Sequence, residues 1–186
     1  MRMKKLAYAT FETGIGVCGI AWSESHDARE ACAVALFQLP EASEGLTKAR
    51  IARKSGATAE SKPPAEIAAL IERVRKHLRG EMQDFQDVPI EWNGLEAFSR
   101  QVYEFIRRIP AGSTMTYGEI AKELGAPGSA RAVGQAMGSN PVPLLIPCHR
   151  VLAAGGKSGG FSAHGGRNTK LRMLAIERAV PLQLEF

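Results

Sequence analysis

A cysteine stands beside a histidine in the tetrapeptide Pro147-Cys148-His149-Arg150. A thiol attacks carbon only as its thiolate, and a neighbouring imidazole is a common means of taking the proton. The pair closes the run Asn140-Pro141-Val142-Pro143-Leu144-Leu145-Ile146. That run is too proline-stiffened for a linker and too apolar for a solvated loop. The expectation is a reactive cysteine held on a buried, strand-like segment.

Such a thiol needs rigid elements around it. After Gly94, the residues Leu95, Phe98, Val102, Phe105, Ile106 and Ile109 recur at helical spacing and predict a helix ending at Pro110. Thr116-Tyr117-Gly118-Glu119 has the form of a capping box, with Thr116 as N-cap and Glu119 reaching back. Ile120, Ala121 and Leu124 supply a buried face, and Gly125 fits a helix stop. Ala126-Pro127-Gly128 makes a turn, and a second helix begins near Ser129 with Val133, Ala136 and Met137 inward. Helix, short glycine-containing turn, helix is a helix-turn-helix pattern. A major-groove reader would present several long polar side chains. This second helix offers mainly Arg131 and Gln135 among Ala132, Gly134, Ala136 and Gly138. Small residues suit close approach to a narrow groove with one long side chain as a wedge, or equally the close packing of two helices.

The first half of the chain reads differently. Residues 5–38 alternate apolar and polar positions, and Glu12-Thr13-Gly14 reads as a hairpin turn between two strands. Ala28 to Leu39 fits a third strand or a short helix. Residues 55–64 are polar and proline-ended, a loop or linker. Ile67, Leu70, Ile71, Val74 and Leu78 then mark a helix with Gly80 as its stop. Helix-rich sequence and net charge both begin near residue 92, so two domains are expected, 1–92 and 93–186.

The net charge is +5. Residues 1–92 balance 13 basic against 13 acidic side chains, whereas residues 93–186 hold 11 basic and 6 acidic. The positive field therefore belongs to the half with the Cys-His pair. It favours a polyanionic partner, nucleic acid first, although a solvated basic face has the same composition. No apolar run reaches membrane-spanning length. Thr10, Glu12 and Thr13 interrupt the stretch that would form a signal-peptide core after Met1-Arg2-Met3-Lys4-Lys5. A cytoplasmic protein is expected. Three irregularly spaced cysteines argue against a disulfide framework. Cys18, His26, Cys32 and His77 match no ordinary zinc spacing, so no metal is expected.

Arg131-Ala132-Val133-Gly134-Gln135-Ala136-Met137-Gly138-Ser139-Asn140-Pro141, running into Ile146-Pro147-Cys148-His149-Arg150-Val151, closely resembles the O6-alkylguanine-DNA alkyltransferases, or methylated-DNA–protein-cysteine methyltransferases. The likeness covers roughly residues 94–178. It implies a small RNase H-like α/β N-terminal domain, with an antiparallel sheet plus helix. A mainly α C-terminal domain with a winged-helix-like helix-turn-helix would follow. It implies DNA repair in which Cys148 accepts a methyl or alkyl group from O6-alkylguanine in duplex DNA, with O4-alkylthymine as an alternative lesion. Transfer is irreversible, because a thioether is a very poor leaving group, so each molecule reacts once. The base reaches the thiol after minor-groove binding and flipping.

By the same resemblance, His149 is linked to Cys148 through a water and oriented by Glu177. Taken alone, Glu177 reads as an exposed carboxylate at a helix end. Arg131 resembles the finger that enters the base stack, with Ala132 and Gln135 beside it against DNA. Tyr117 crowds the phosphate and then hydrogen-bonds the flipped purine. Asn140 is the hinge that ties the recognition helix to the nucleophile segment. Met137, Val151, Phe161 and Ser162 join Tyr117 around the pocket. No cofactor is implied, and a monomer is expected.

The loop after the nucleophile departs from the family's Tyr-Ser-Gly-Gly run. Here it reads Phe161-Ser162-Ala163-His164-Gly165-Gly166, with about two extra residues before Lys170. Phe161 lacks a hydroxyl and Ala163 adds a methyl at the expected pocket rim, so lower tolerance of bulky alkyl groups is expected. His164 reads as solvated. Three rival readings fit the chain less well. A lesion sensor has Trp where this chain has Cys148. A transcription regulator would need a dimerisation segment. A Cys-His hydrolase would need an oxyanion site.

Overall fold

The computed structural model describes residues 5–23 and 32–179. They divide into two units, one drawn from residues 5–83 with 87–93 and the other from 84–86 with 94–179.

In the first unit, β1 (Leu6–Thr13) and β2 (Gly16–Ser23) form an antiparallel hairpin in register from Leu6↔Ser23 to Thr13↔Gly16. Gly14 and Ile15 make the turn. β3 (Val34–Gln38) pairs with the other edge of β2, with a register shift at Ala21/Trp22. Of the two readings open for Ala28 to Leu39, the described part is a strand; residues 28–31 lie outside the described residues.

Helix α1 (Glu44–Ser55) was not expected. Its signals are local: Ser43 accepts from the Leu46 amide at the N-cap, and Gly56 closes the C-terminus at φ 69°. Only Thr47 and Ile51 are buried, one turn apart, so it has no broad apolar stripe to read. Ile51 packs over Gly19 of β2, where an added Cβ would lie 3.0 Å from it. Helix α2 (Ala65–His77) buries Ile67, Leu70, Ile71 and Val74, as the spacing predicts, and stops short of Gly80.

Of the residues weighed for zinc, Cys18 is buried in β2, and burial pushes its thiol up to about 12. His77 is buried and its Nδ1 accepts from the Gln83 amide. His26 lies outside the described residues. Among the described residues no cluster of three His, Cys, Asp or Glu could hold a metal ion. No described helix is long and apolar enough to cross a membrane.

In the second unit, α3 (Ala97–Ile106) begins two residues later than the pattern suggests. It buries Val102, Tyr103 and Ile106, while Phe105 is only half-buried. Tyr103, not among the residues of the expected face, lies in the core and donates its hydroxyl to the Ala136 carbonyl at 2.7 Å. Helix α4 (Tyr117–Glu123) and α5 (Ala130–Gly138) follow, joined by a turn with Gly125 and Gly128 at positive φ. A two-residue strand β4 (Met115–Thr116) pairs in parallel with β5 (Val151–Leu152). The chain closes with α6 (Gly166–Ile176).

Thr116 therefore belongs both to β4 and to the cap of α4. The capping box is complete: the Glu119 carboxylate accepts from the Thr116 amide at 2.6 Å and hydroxyl at 2.8 Å, and the Glu119 amide donates back at 3.2 Å. These bonds, the backbone one foremost, hold the Glu119 carboxyl below the usual carboxylate range. A folded-state value below the unfolded one stabilises above the unfolded value and is lost as pH falls through the folded one. Glu119→Gln is expected to lower stability slightly at neutral pH and to flatten the loss on acidification. Urea melts across the acid range will check this.

Candidate active site

The nucleophile segment is shaped by one side-chain amide. Asn140 donates from Nδ2 to the Ile146 carbonyl at 2.8 Å and accepts the Val142 amide on Oδ1 at 3.0 Å. The Ile146 amide returns to the Val142 carbonyl at 2.9 Å, and buried Leu144 takes φ 77° within this loop. Positive φ at a non-glycine residue is strained and persists only where surrounding bonds fix it. The expected strand-like segment is corrected here. Pro141, Pro143 and Pro147 have no N–H to give a ladder, and the loop folds back on itself. Cys148 instead opens one 3-10 turn, Cys148–Arg150, that leads directly into β5.

His149 and Glu177 meet at the end of that turn, with Nε2 2.9 Å from Oε1. His149 is 0% exposed and Glu177 3%. Glu177 caps the C-terminus of α6, yet it is buried, unlike the solvated helix-end carboxylate its position alone suggests. Arg150 explains how the charge is tolerated. Its Nε donates to Oε2 at 2.9 Å and its Nη2 to Oε1 at 2.8 Å. An ionised carboxylate only accepts, so His149 donates from Nε2, and in the neutral ring the lone pair then lies on Nδ1.

Burial pushes the Cys148 thiol above its ordinary value. Several groups pull the other way: the Asn140 side chain first, then the Lys170 ammonium and the backbone N–H groups of Cys148 and His149. Lys170 is 0% exposed, and its Nζ donates to the Val151 carbonyl at 2.5 Å. Burial lowers the Lys170 value, and the nearby sulfur raises it. Tyr103 is pushed up to about 12 and Tyr117 upward, in both cases by burial first and the Cys148 charge second. Both phenols thus stay protonated at neutral pH.

Cys148 faces a cavity of ≈ 430 Å³ lined by Tyr117, Gly134, Met137, Gly138, Cys148, Gly160, Phe161 and Ser162. That volume lies in the range of small-ligand sites, roughly 300–1,000 Å³. Of the expected pocket residues, Tyr117, Met137, Phe161 and Ser162 line it. Val151 does not: it is fully buried in β5, where its carbonyl takes the Lys170 ammonium. Ala163 is half-buried outside the lining, and His164 is exposed. Three glycines replace side chains on the wall. A Cβ on Gly134 would lie 3.9 Å from the Tyr117 ring, and one on Gly159, beside the lining, 3.5 Å from it. Arg131 and Gln135 are exposed on α5 at the spacing of Gly138, which opens onto the cavity, and Ala132 is half-buried. Sequence reasoning missed Arg150 and Lys170 as parts of the site, although Arg150 stands within the motif.

The family model described as 6-O-methylguanine DNA methyltransferase, DNA binding domain, matches residues 97–179. A methylated-DNA–protein-cysteine methyltransferase of Mycolicibacterium paratuberculosis is 44% identical over 115 residues, which are 62% of this chain and 67% of that protein. A DNA base-flipping protein of Thermus thermophilus is 40% identical over 121 residues, 63% of this chain and 80% of that one. A crystal structure of Mycobacterium tuberculosis OGT in complex with DNA shares 31% identity, covers 96% of this chain and 97% of that chain, and gives a TM-score of 0.70. By these matches the chain belongs to the methylated-DNA–protein-cysteine methyltransferase family.

Proposed function

We propose that this protein repairs DNA by moving the alkyl group of O6-alkylguanine, in duplex DNA, irreversibly onto Cys148. The observation that carries the reading is Cys148 on the wall of the cavity, one residue from the buried His149–Glu177 pair.

His149, held by Glu177, takes the thiol proton through a bridging water. The thiolate attacks the alkyl carbon. A C–S bond forms as the C–O6 bond breaks, and the electron pair passes to guanine, which takes up a proton. Tyr117 stays protonated and donates a hydrogen bond to the departing purine. Its burial and the glycines beside it support that role. Asn140 holds the nucleophile loop and the thiolate together. O4-alkylthymine would present the same reacting carbon.

Arg131 and Gln135, exposed along α5, meet the minor groove, and Arg131 fills the gap left by the flipped base. Ala132 and Gly138 let the backbone approach closely. In this reading residues 93–186 form the DNA-binding and alkyl-acceptor domain, with α4 and α5 as a winged-helix-like helix-turn-helix. Residues 1–92 form an RNase H-like domain. The protein acts as a cytoplasmic monomer without a cofactor.

The test is intact-protein mass after mixing with a duplex containing one O6-methylguanine. A gain of one methyl group, mapped to the Cys148 peptide and stopping at one per molecule, is expected. Tight lesion binding without mass gain would make this a sensor instead.

A further inference from the structure

Two buried side chains share one oxygen of a third. Glu177 Oε1 accepts from His149 Nε2 at 2.9 Å and from Arg150 Nη2 at 2.8 Å, and Oε2 accepts from Arg150 Nε at 2.9 Å. The remaining arm of the guanidinium, Nη1, donates to the Ile109 carbonyl beyond α3. None of the three residues is more than 6% exposed.

A carboxylate alone beside an imidazole favours the imidazolium. Here the guanidinium occupies the same carboxylate, including the oxygen that faces the ring. With Glu177 ionised and His149 neutral, the three groups sum to zero charge. A proton on His149 would leave them a buried net cation, which is costly without water. Lys170, from α6, adds a second cation near Cys148 and pushes the same way. Tyr103 from α3 and Tyr117 from α4 face the sulfur as uncharged phenols.

We infer that Arg150 is a positioning residue for alkyl transfer: by sharing Glu177 it keeps His149 a neutral base with its lone pair on Nδ1. This deepens the proposed function and rests on His149 being the base. The role needs a planar fork, since one side chain bridges both carboxylate oxygens and a backbone carbonyl. A lysine ammonium cannot span the three.

The test follows the His149 ring by side-chain nitrogen NMR in the full chain, together with methyl-transfer rates. Wild-type His149 should stay neutral, protonated at Nε2, on titration to pH values below the ordinary histidine value of about 6.5. Arg150→Met should carry an imidazolium at neutral pH, and Arg150→Met with Glu177→Gln should be neutral again. Transfer by Arg150→Met should fall roughly 100-fold at neutral pH, the order of a lost general base, and climb as pH rises. Arg150→Lys should resemble Arg150→Met. An imidazolium in the wild type at neutral pH, or a neutral ring in Arg150→Met, overturns the inference. Should Arg150→Met not fold, the wild-type titration decides alone. The expected NMR pattern with no methyl transfer by the wild type would leave only Arg150's control of the His149 charge standing and would refute the proposed function.

Discussion

Cys148→Ser will bind an alkylated duplex and leave the alkyl group on the guanine. Serine puts an oxygen where the sulfur stood and removes little volume, so the loop held by Asn140 and the cavity beside it should persist. The chemistry does not persist. Attack on a saturated carbon needs an anionic, polarisable nucleophile, and an alcohol gives up its proton far less readily than a thiol. The groups that ease thiol ionisation here act against a burial penalty that an alkoxide would feel equally. Loss of a nucleophile typically lowers a rate by on the order of 10⁴ to 10⁶. The check is a pair of measurements on one preparation: lesion affinity by fluorescence anisotropy, and methyl transfer by label release from the duplex. Near-normal affinity with no transfer is expected. Transfer within tenfold of wild type would mean that Cys148 is not the acceptor.

What the sequence could convey depended on the range of the signal. The hairpin of β1 and β2, the Thr116–Glu119 box and the apolar face of α2 are local patterns, and all three were legible. Helix α1 was not, because two buried residues make no periodicity, although Ser43 and Gly56 marked both its ends. In α3 the buried Tyr103 was not legible: it carries a hydroxyl, and the Ala136 carbonyl across the fold makes its burial tolerable. The strand-like reading of the nucleophile segment failed for a related reason. Apolar residues and prolines announced burial, but the fold-back depends on what the Asn140 amide holds. In the site, residues of the motif could be named by resemblance. Arg150 and Lys170 could not be given roles, since long charged side chains are rarely fully buried and their partners, Glu177 and the Val151 carbonyl, lie 27 and 19 residues away.

Lys170 gives the second large effect, with function and stability moving in opposite directions. Its ammonium is fully buried near the sulfur, where it lowers the cost of the thiolate. Burial lowers its own value, the usual sign of a cation held at a cost. Where the folded-state value lies below the unfolded one, the unfolded chain binds more protons. Stability should then rise with pH across that interval and level off above the unfolded value. Lys170→Met keeps the packed stem, removes the charge and leaves the Val151 carbonyl without this donor. The thiol should therefore ionise less readily. At neutral pH, methyl transfer should fall by about 10- to 100-fold, which is roughly 1.4–2.7 kcal/mol of barrier. The rate should recover as pH rises, because free hydroxide supplies the thiolate that the lysine no longer favours. The melting temperature at neutral pH should hold or increase, because the cost of burying the cation has gone. Rate–pH profiles and thermal melts of the two proteins, side by side, test both halves. A variant that loses stability and activity together, with an unshifted profile, would mean that Lys170 only supports β5. A shifted profile on an intact fold would mean that the protein tolerates a buried cation because the sulfur needs it.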